Sequence, residues 1–270
     1  MPGSERPSLD QKIKWLCYYG NSIPNSIYEK LDLAILDPDT FEIPETEPEK
    51  QNNPWRIGYV SIGETETYRW YWPLVQGKSF VLEPNPNWAN SYYVDVRSNE
   101  WQELLLKKVI PKILEKGYQG IFLDTLDTAE YLEWKDKNKY AGSVKALENF
   151  IAKLREKFPK ALIITNNGLF LLKNCGNLID GALVEDIYTH YNFEKKQYEA
   201  SDIDSDQKKE QILVPFRKNN KKPLYVLVYA KSNQTTLIKE GLKKCKEADF
   251  YPYITTIDLN QIGETAPFNQ

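Results

Sequence analysis

At 270 residues, with 41% hydrophobic and 27% charged side chains, the chain suits one large α/β domain with a substantial core and a solvated surface. A net charge of −3 with both signs interspersed argues against nucleic acid as the main partner, and no apolar run reaches the ~18 residues a membrane span needs. Cys17, Cys175 and Cys245 are odd in number, far apart and without metal-ligand spacing, so they read as buried thiols.

Residues 1–12 carry no apolar signal core and read as a flexible leader to a single domain over 13–270. The cellular address stays open: extracellular if a signal peptide has been trimmed, cytoplasmic if the chain is complete. A monomer is favoured. Eight apolar runs then follow at Trp15–Gly20, Leu31–Leu36, Arg56–Ile62, Gly120–Asp124, Ala161–Thr165, Gly181–Glu185, Leu224–Tyr229 and Tyr251–Ile257. Most are apolar on both faces, as parallel strands buried between layers must be. A helical pattern opens at Ser98, a plausible N-cap, and ends at Gly117; Pro111 inside it should kink or split it. Ser143 to Lys157 is amphipathic, with Val144, Leu147, Phe150, Ile151 and Leu154 on one stripe. Residues 206–218 and 234–246 supply two more helices. The alternation predicts a (β/α)8 TIM barrel, with an open doubly wound sheet as the alternative.

The alternation has two irregular positions. Between Asp37 and Trp55 the chain is too rich in proline for a full second helix, and beyond Asp258 the eighth helix is missing or vestigial. The stretch Thr65 to Val94 is a long excursion that includes Tyr68, Trp70, Tyr71, Trp72, Phe80, Trp88, Tyr92 and Tyr93, too aromatic for disorder.

Five of the apolar runs stop on acids: Asp37, Glu64, Asp124, the pair Glu185–Asp186, and Asp258. A parallel barrel gathers its strand C-termini at one mouth, so this placement points to acid/base chemistry there on a sugar-like substrate. Each acid also has a structural reading. Asp124 serves equally as a helix cap or barrel-mouth salt bridge. Glu185 and Asp186 face opposite ways on a strand, and parity alone does not say which points inward. Glu66 and Arg69 read as a structural ion pair. Asn166-Asn167-Gly168 is an ordinary turn, or an amide that holds a sugar hydroxyl. His190, the only histidine, reads as structural, and no Gly-x-Ser-x-Gly elbow accompanies it. No metal-ligand set or phosphate-cradling glycine loop is present, so no cofactor is expected. Two carboxylates suffice for glycosidic cleavage, one carrying a proton for the leaving oxygen and one bearing negative charge.

The block Gly58-Tyr59-Val60-Ser61-Ile62-Gly63-Glu64-Thr65-Glu66-Thr67-Tyr68-Arg69-Trp70-Tyr71-Trp72 resembles the signature segment of glycoside hydrolase family 114. Tyr92-Tyr93-Val94-Asp95, Asn99-Glu100-Trp101-Gln102, Gly120 through Asp127 and Asp180 through Glu185 match in the same order. These are the endo-α-1,4-polygalactosaminidases and their relatives, similar to (β/α)8 α-galactosidases, whose nucleophile ends strand four and whose acid/base ends strand six. The resemblance implies a retaining endo-acting enzyme cleaving α-linked galactosamine-containing polysaccharide, with Asp124 as nucleophile and Glu185 as proton donor. It places Asp37, Glu64, Asp95, Asp127 and Asn166 in the substrate subsites. Tyr19, Tyr71, Trp72 and Tyr229 are expected to bind substrate beside them, since aromatic rings stack on the C–H faces of sugars. De-acetylated galactosamine is cationic, and a mouth ringed with acids would attract it. Relatives have carried a cysteinyl-tRNA synthetase label, which one histidine and no zinc-type Cys/His set cannot support. The alternatives are a barrel of the same family that binds polysaccharide or another partner without turnover, and a different hydrolase on this scaffold.

Overall fold

The computed structural model describes residue 9 and residues 13–43 and 54–265. Of the leader expected over residues 1–12 only Leu9 is described, and it is buried; the rest of it and most of the proline-rich second connection, residues 44–53, lie outside the described residues.

Eight parallel strands form a nearly closed barrel: β1 (Trp15–Tyr18), β2 (Leu33–Leu36), β3 (Trp55–Ser61), β4 (Gly120–Asp124), β5 (Leu162–Asn166), β6 (Gly181–Val184), β7 (Leu224–Tyr229) and β8 (Tyr251–Thr255). They pair in chain order from β1 to β8, so the TIM-barrel expectation is met and the open doubly wound sheet is not. Each strand core coincides with a predicted apolar run to within two or three residues. The reason is burial on both faces: β1, β2, β6 and β7 have no exposed residue at all. Inside the barrel, Trp15 packs on Tyr225 and Tyr253 at ring-centroid distances of 4.7 and 5.4 Å, which brings the first strand against the last. The seam between β8 and β1 is held differently. Tyr19 donates its backbone N–H to the Leu259 carbonyl at 2.7 Å, and Glu264–Thr265 pairs antiparallel with β8.

The register fixes where the strands end. Ser61 of β3 lies opposite Asp124 of β4, Leu123 of β4 opposite Thr165 of β5, and Asn166 of β5 opposite Leu183 of β6. Asp124, Asn166 and Glu185 are therefore neighbours around one rim.

Helices occupy the connections. Ser98 caps the helix Asn99–Leu104 by accepting the Trp101 N–H, as expected. The kink at Pro111 takes a specific form: a π-turn at Leu105–Val109 separates that helix from Ile110–Glu115, where Pro111 sits in the first turn. Proline offers no N–H to the carbonyl four residues back, and widening the turn relieves the mismatch. The helices Ser143–Lys157, Ile203–Asn220 and Thr235–Ala248 match the other predicted ones, the second running past Pro215. Among the described residues no helix follows β8, and the part of the second connection that is described, through residue 43, is not helical.

Two excursions rise above the mouth. After β3, Glu64–Glu66, Val81–Pro84 and Ser91–Val94 form a three-stranded antiparallel sheet with the short helix Trp72–Val75. After β6, Thr189–Asn192 and Gln197–Ala200 form a hairpin, which the sequence reading does not anticipate. The excursions touch at their tips, with Trp88 and Phe193 edge-to-face at 5.8 Å. Cys17, Cys175 and Cys245 are free and buried. His190 pairs with Glu199 across the hairpin at 3.4 Å. No helix among the described residues is long and apolar enough to cross a membrane.

Candidate active site

The C-terminal ends of β4, β5 and β6 converge on one constellation. The Asn166 side-chain amide donates to Asp124 Oδ1 at 2.6 Å and to Glu185 Oε1 at 2.6 Å. Those two carboxylate oxygens are therefore no more than twice 2.6 Å apart, within the spacing of a retaining pair and short of the ~6.5–9.5 Å of an inverting one. From β7, Tyr229 donates its hydroxyl to Glu185 Oε2 at 2.6 Å. Tyr19, one residue past β1, packs its ring edge-to-face with Tyr59 of β3 at 5.2 Å, alongside the pair.

Local backbone geometry sets these side chains at the rim. The residue after each strand-end group is left-handed: Thr125 at φ 58°, Asn167 at φ 48° and Asp186 at φ 54°. A β-branched threonine there costs of order 1–3 kcal/mol and needs outside support. Thr125 Oγ1 lies 2.8 Å from Ser61 Oγ, accepts the Gly63 N–H at 2.9 Å, and lies 2.7 Å from the Asp124 carbonyl to which it donates. Gly63 admits no side chain, because a Cβ would sit 2.2 Å from the Thr125 carbonyl oxygen. Asn167 accepts the Glu185 N–H at 3.0 Å, and Lys209 donates to the Asp186 carbonyl at 2.6 Å. With Glu185 turned inward, Asp186 is left exposed, which resolves the parity that the sequence leaves open.

The electrostatics follow from burial. The Glu185 carboxyl is pushed up to about 7, first by loss of solvent and then by the Asp124 charge, against the opposing hydrogen bonds from Tyr229 and Asn166. Asp124 is also raised by burial. The Asn166 amide, the Thr125 backbone and the Tyr59 hydroxyl pull it back toward the charged form.

The other predicted site residues have different surroundings. Asp37 is buried, and Arg69 Nη1 reaches both its oxygens at 2.8 and 2.9 Å. Arg69 also contacts Glu66 at 3.3 Å, the ion pair read from the sequence, while Glu66 accepts the Tyr59 hydroxyl at 3.2 Å. Glu64 is buried and accepts from Ser91 at 2.5 Å and Asn85 at 2.9 Å. Tyr71 is buried against Trp70 and Trp101 beneath the excursion, and Trp72 packs on Tyr92 at 5.3 Å. Asp95 is paired with Arg97 at 2.6 Å. Asp127 is exposed and lines an open groove of about 710 Å³ beside the mouth. Asp258 is exposed. Of the predicted set, the structure thus gathers Asp124, Asn166, Glu185, Tyr229 and Tyr19. It gives Asp37, Glu64 and Asp95 partners of their own.

Sequence reasoning misses Tyr59, Thr125, Asn167 and Lys209. Tyr59 carries a usable signal, since it shares strand parity with Ser61 at the β3 end. The others act through long-range or strained contacts without local signature. Among the described residues, no group of three or more His, Cys, Asp or Glu side chains is arranged to hold a metal ion.

A TIM barrel with two acids facing each other across one amide at its C-terminal mouth defines the class: a (β/α)8 barrel of glycoside-hydrolase type. The chain belongs to glycoside-hydrolase family GH114, whose family model matches residues 4–268. An uncharacterized protein from Deinococcus radiodurans is 24% identical over 276 residues, covering 97% of this chain and 86% of that one. In fold the chain is similar to the glycoside hydrolase domain of PelA from Pseudomonas aeruginosa, with TM-score 0.77 and 21% identity over 93% of this chain and 98% of that chain. It is similar also to Aspergillus fumigatus Ega3, solved in complex with galactosamine, with TM-score 0.75 and 13% identity over 98% and 99% of the two chains.

Proposed function

We propose that the protein is a retaining, endo-acting glycosidase that cleaves α-linked galactosamine-containing polysaccharide, with Asp124 as nucleophile and Glu185 as acid/base. The observation that carries the reading is the Asn166 amide, which bonds both carboxylates at 2.6 Å. Two acids this close cannot both ionise freely, so near neutrality the pair holds about one proton. The raised Glu185 keeps that proton, and the donors around Asp124 favour its charged form.

In the first step the Asp124 carboxylate attacks the anomeric carbon. Glu185 gives its proton to the departing glycosidic oxygen, breaking the C–O bond and leaving a glycosyl ester on Asp124. In the second step the Glu185 carboxylate removes a proton from water, whose oxygen displaces Asp124 from the same carbon and restores both acids. A cationic sugar ring suits the acidic surroundings of the mouth. The galactosamine bound in Ega3 supports that choice at the level of a shared fold.

The deciding experiment is release of oligosaccharides from de-acetylated α-1,4-polygalactosamine by the wild type, Asp124→Asn and Glu185→Gln, with the anomeric configuration of the first product read by NMR. Release with retention, abolished in both variants, is expected. Release with inversion overturns the assigned roles. No release by the wild type from any α-linked amino-sugar polymer overturns the enzymatic reading in favour of a binding barrel.

A further inference from the structure

The geometry points to a second binding site for the sugar polymer, separate from the cleavage pair, in the groove that opens beside β4 and β5. This inference rests on the substrate class proposed above. The groove is lined by Asp127, Glu130, Tyr131, Glu133, Trp134 and Phe170. Its walls leave the barrel right at the site: Asp127 follows Asp124 by three residues, and Phe170 follows Asn166 by four.

Its chemistry matches an amino sugar in two independent ways. The first is an aromatic series that runs outward. Tyr93, at the end of the strand Ser91–Val94, packs on Tyr131 at 5.3 Å, and Tyr131 packs on Trp134 at 6.2 Å. Tyr131 and Trp134 stand three apart on the helix Thr128–Lys135, so they share one face. Exposure rises along the series from 9% for Tyr93 to 36% for Tyr131 and 81% for Trp134. A single exposed aromatic needs no explanation, but a graded series leading away from a cleavage site forms a platform on which successive sugar rings can lie. The second is charge. Among the groove-lining residues three acids, Asp127, Glu130 and Glu133, stand against one lysine, Lys137. Lys135, over the Tyr131 ring at 5.7 Å, is paired with Glu83, so the lining is acidic and suited to ammonium groups. Glu133 has a fold role as well, accepting the Val144 N–H at 3.0 Å at the start of the next helix. Asp127, Glu130 and Trp134 are exposed.

The groove would therefore hold sugar units remote from the bond being cut, raising affinity for long chains over short ones. The test compares the wild type with Trp134→Ala and Glu130→Gln on an α-1,4-galactosamine trisaccharide and on the long polymer. The expected result for Trp134→Ala is a rise of about tenfold in KM for the polymer with kcat held, equivalent to ~1.4 kcal/mol. The polymer-to-trisaccharide ratio of kcat/KM then falls by the same factor. Glu130→Gln should shift the ratio in the same direction on de-acetylated polymer and not on its N-acetylated form. Equal effects on both chain lengths, or none, overturn the groove while leaving Asp124 and Glu185 standing. Polymer binding by Asp124→Asn is the companion measurement. Affinity that drops when Trp134→Ala is added supports the groove even if the wild type cleaves nothing, and affinity indifferent to Trp134→Ala overturns it.

Discussion

Two halves of the same barrel rim place acids at strand ends and treat them in opposite ways. On the β2–β3 side, Asp37 and Glu66 are buried around Arg69, whose guanidinium reaches both at 2.8–3.3 Å. On the β4–β6 side, Asp124 and Glu185 share only the neutral Asn166 amide. A buried carboxylate beside a cation has an opposite charge to pair with, and here that pairing ties the loop after β2 to the excursion after β3. Asp124 and Glu185 are instead hydrogen-bonded by neutral groups, and loss of solvent together with the Asp124 charge lifts Glu185 to about 7, where a proton is available near neutral pH. The contrast lies in a guanidinium that directly contacts one set of acids and a neutral amide that joins the other, and the braced acids are also the more deeply buried.

The sharpest way to break this comparison is to neutralise one acid on each side. With Asp124 as the proposed nucleophile and Glu185 as the proposed acid/base, Asp124→Asn should lower kcat by about 10⁴-fold or more and Glu185→Gln by about 10²–10⁴-fold. The two are separated by an activated aryl glycoside, whose leaving group needs no proton: it should restore the first step for Glu185→Gln and not for Asp124→Asn. Urea unfolding of Asp124→Asn should match or exceed the wild type near pH 7, because it removes a charge that burial disfavours. Glu185→Gln should stay close to the wild type, because it replaces a carboxyl that largely holds its proton. If Asp37→Asn lowered kcat as severely with stability intact, the division of the rim would fail.

The next largest effect belongs to the brace. Arg69→Met keeps much of the side-chain volume but strands Asp37 and Glu66 as buried charges, a loss of about 3–5 kcal/mol by the usual cost of breaking such a pair. Denaturant titration measures it directly. Activity of the folded fraction should fall far less than in Asp124→Asn. The Asp37 partner lies thirty-two residues from Arg69 in sequence, so a destabilised variant should also loosen the excursion after β3. Hydrogen exchange of the strands Glu64–Glu66 and Ser91–Val94 reads that loosening.

This long separation also marks what the sequence leaves unread. All eight barrel strands are legible as apolar runs, because strands buried on both faces admit little else. The acids at their ends are legible for the same reason: a polar group amid such runs marks the rim. What Arg69 does with Asp37 depends on an excursion folding back over the mouth, and no local spacing encodes that contact. The hairpin Thr189–Ala200 escapes because its four-residue strands are polar and half-exposed, with little apolar alternation. Pro111 locates the break in its helix, yet whether the helix kinks or widens into a π-turn is decided by packing. Asn166 is visible as a candidate. Its two bonds to acids from neighbouring strands come from register, which only the folded barrel supplies.

Removing the amide tests the reactive side without touching either acid. Asn166→Ala deletes a donor to both carboxylates, each of which it favours in charged form. Both acids should therefore titrate higher, moving the pH–rate profile alkaline, and kcat at the optimum should fall about 10²-fold as the pair loses its fixed spacing. A fall in kcat with an unmoved profile would mean that Asn166 acts on the substrate alone. Asn166→Asp should be worse than Asn166→Ala, since it sets a third carboxylate directly beside the other two.

The smallest effect separates Glu185, the proposed acid/base, from its second donor. Tyr229 donates to Glu185 Oε2 at 2.6 Å and holds the carboxyl lower than burial alone would. Tyr229→Phe keeps the ring and removes the hydrogen bond, so Glu185 should titrate above about 7 and the alkaline limb of activity should move up by about one pH unit. The same change has a signed effect on stability. Because Glu185 binds its proton more tightly folded than unfolded, its contribution to stability is fully present below pH 4.5 and is lost as pH rises through about 7. In Tyr229→Phe that loss should extend to higher pH and end deeper. Relative to wild type the variant should thus be nearly unchanged at pH 4 and less stable at pH 9, by roughly 1–2 kcal/mol. A deficit that is the same at both pH values would assign the Tyr229 hydroxyl to packing, leaving Asn166 as the donor that tunes Glu185.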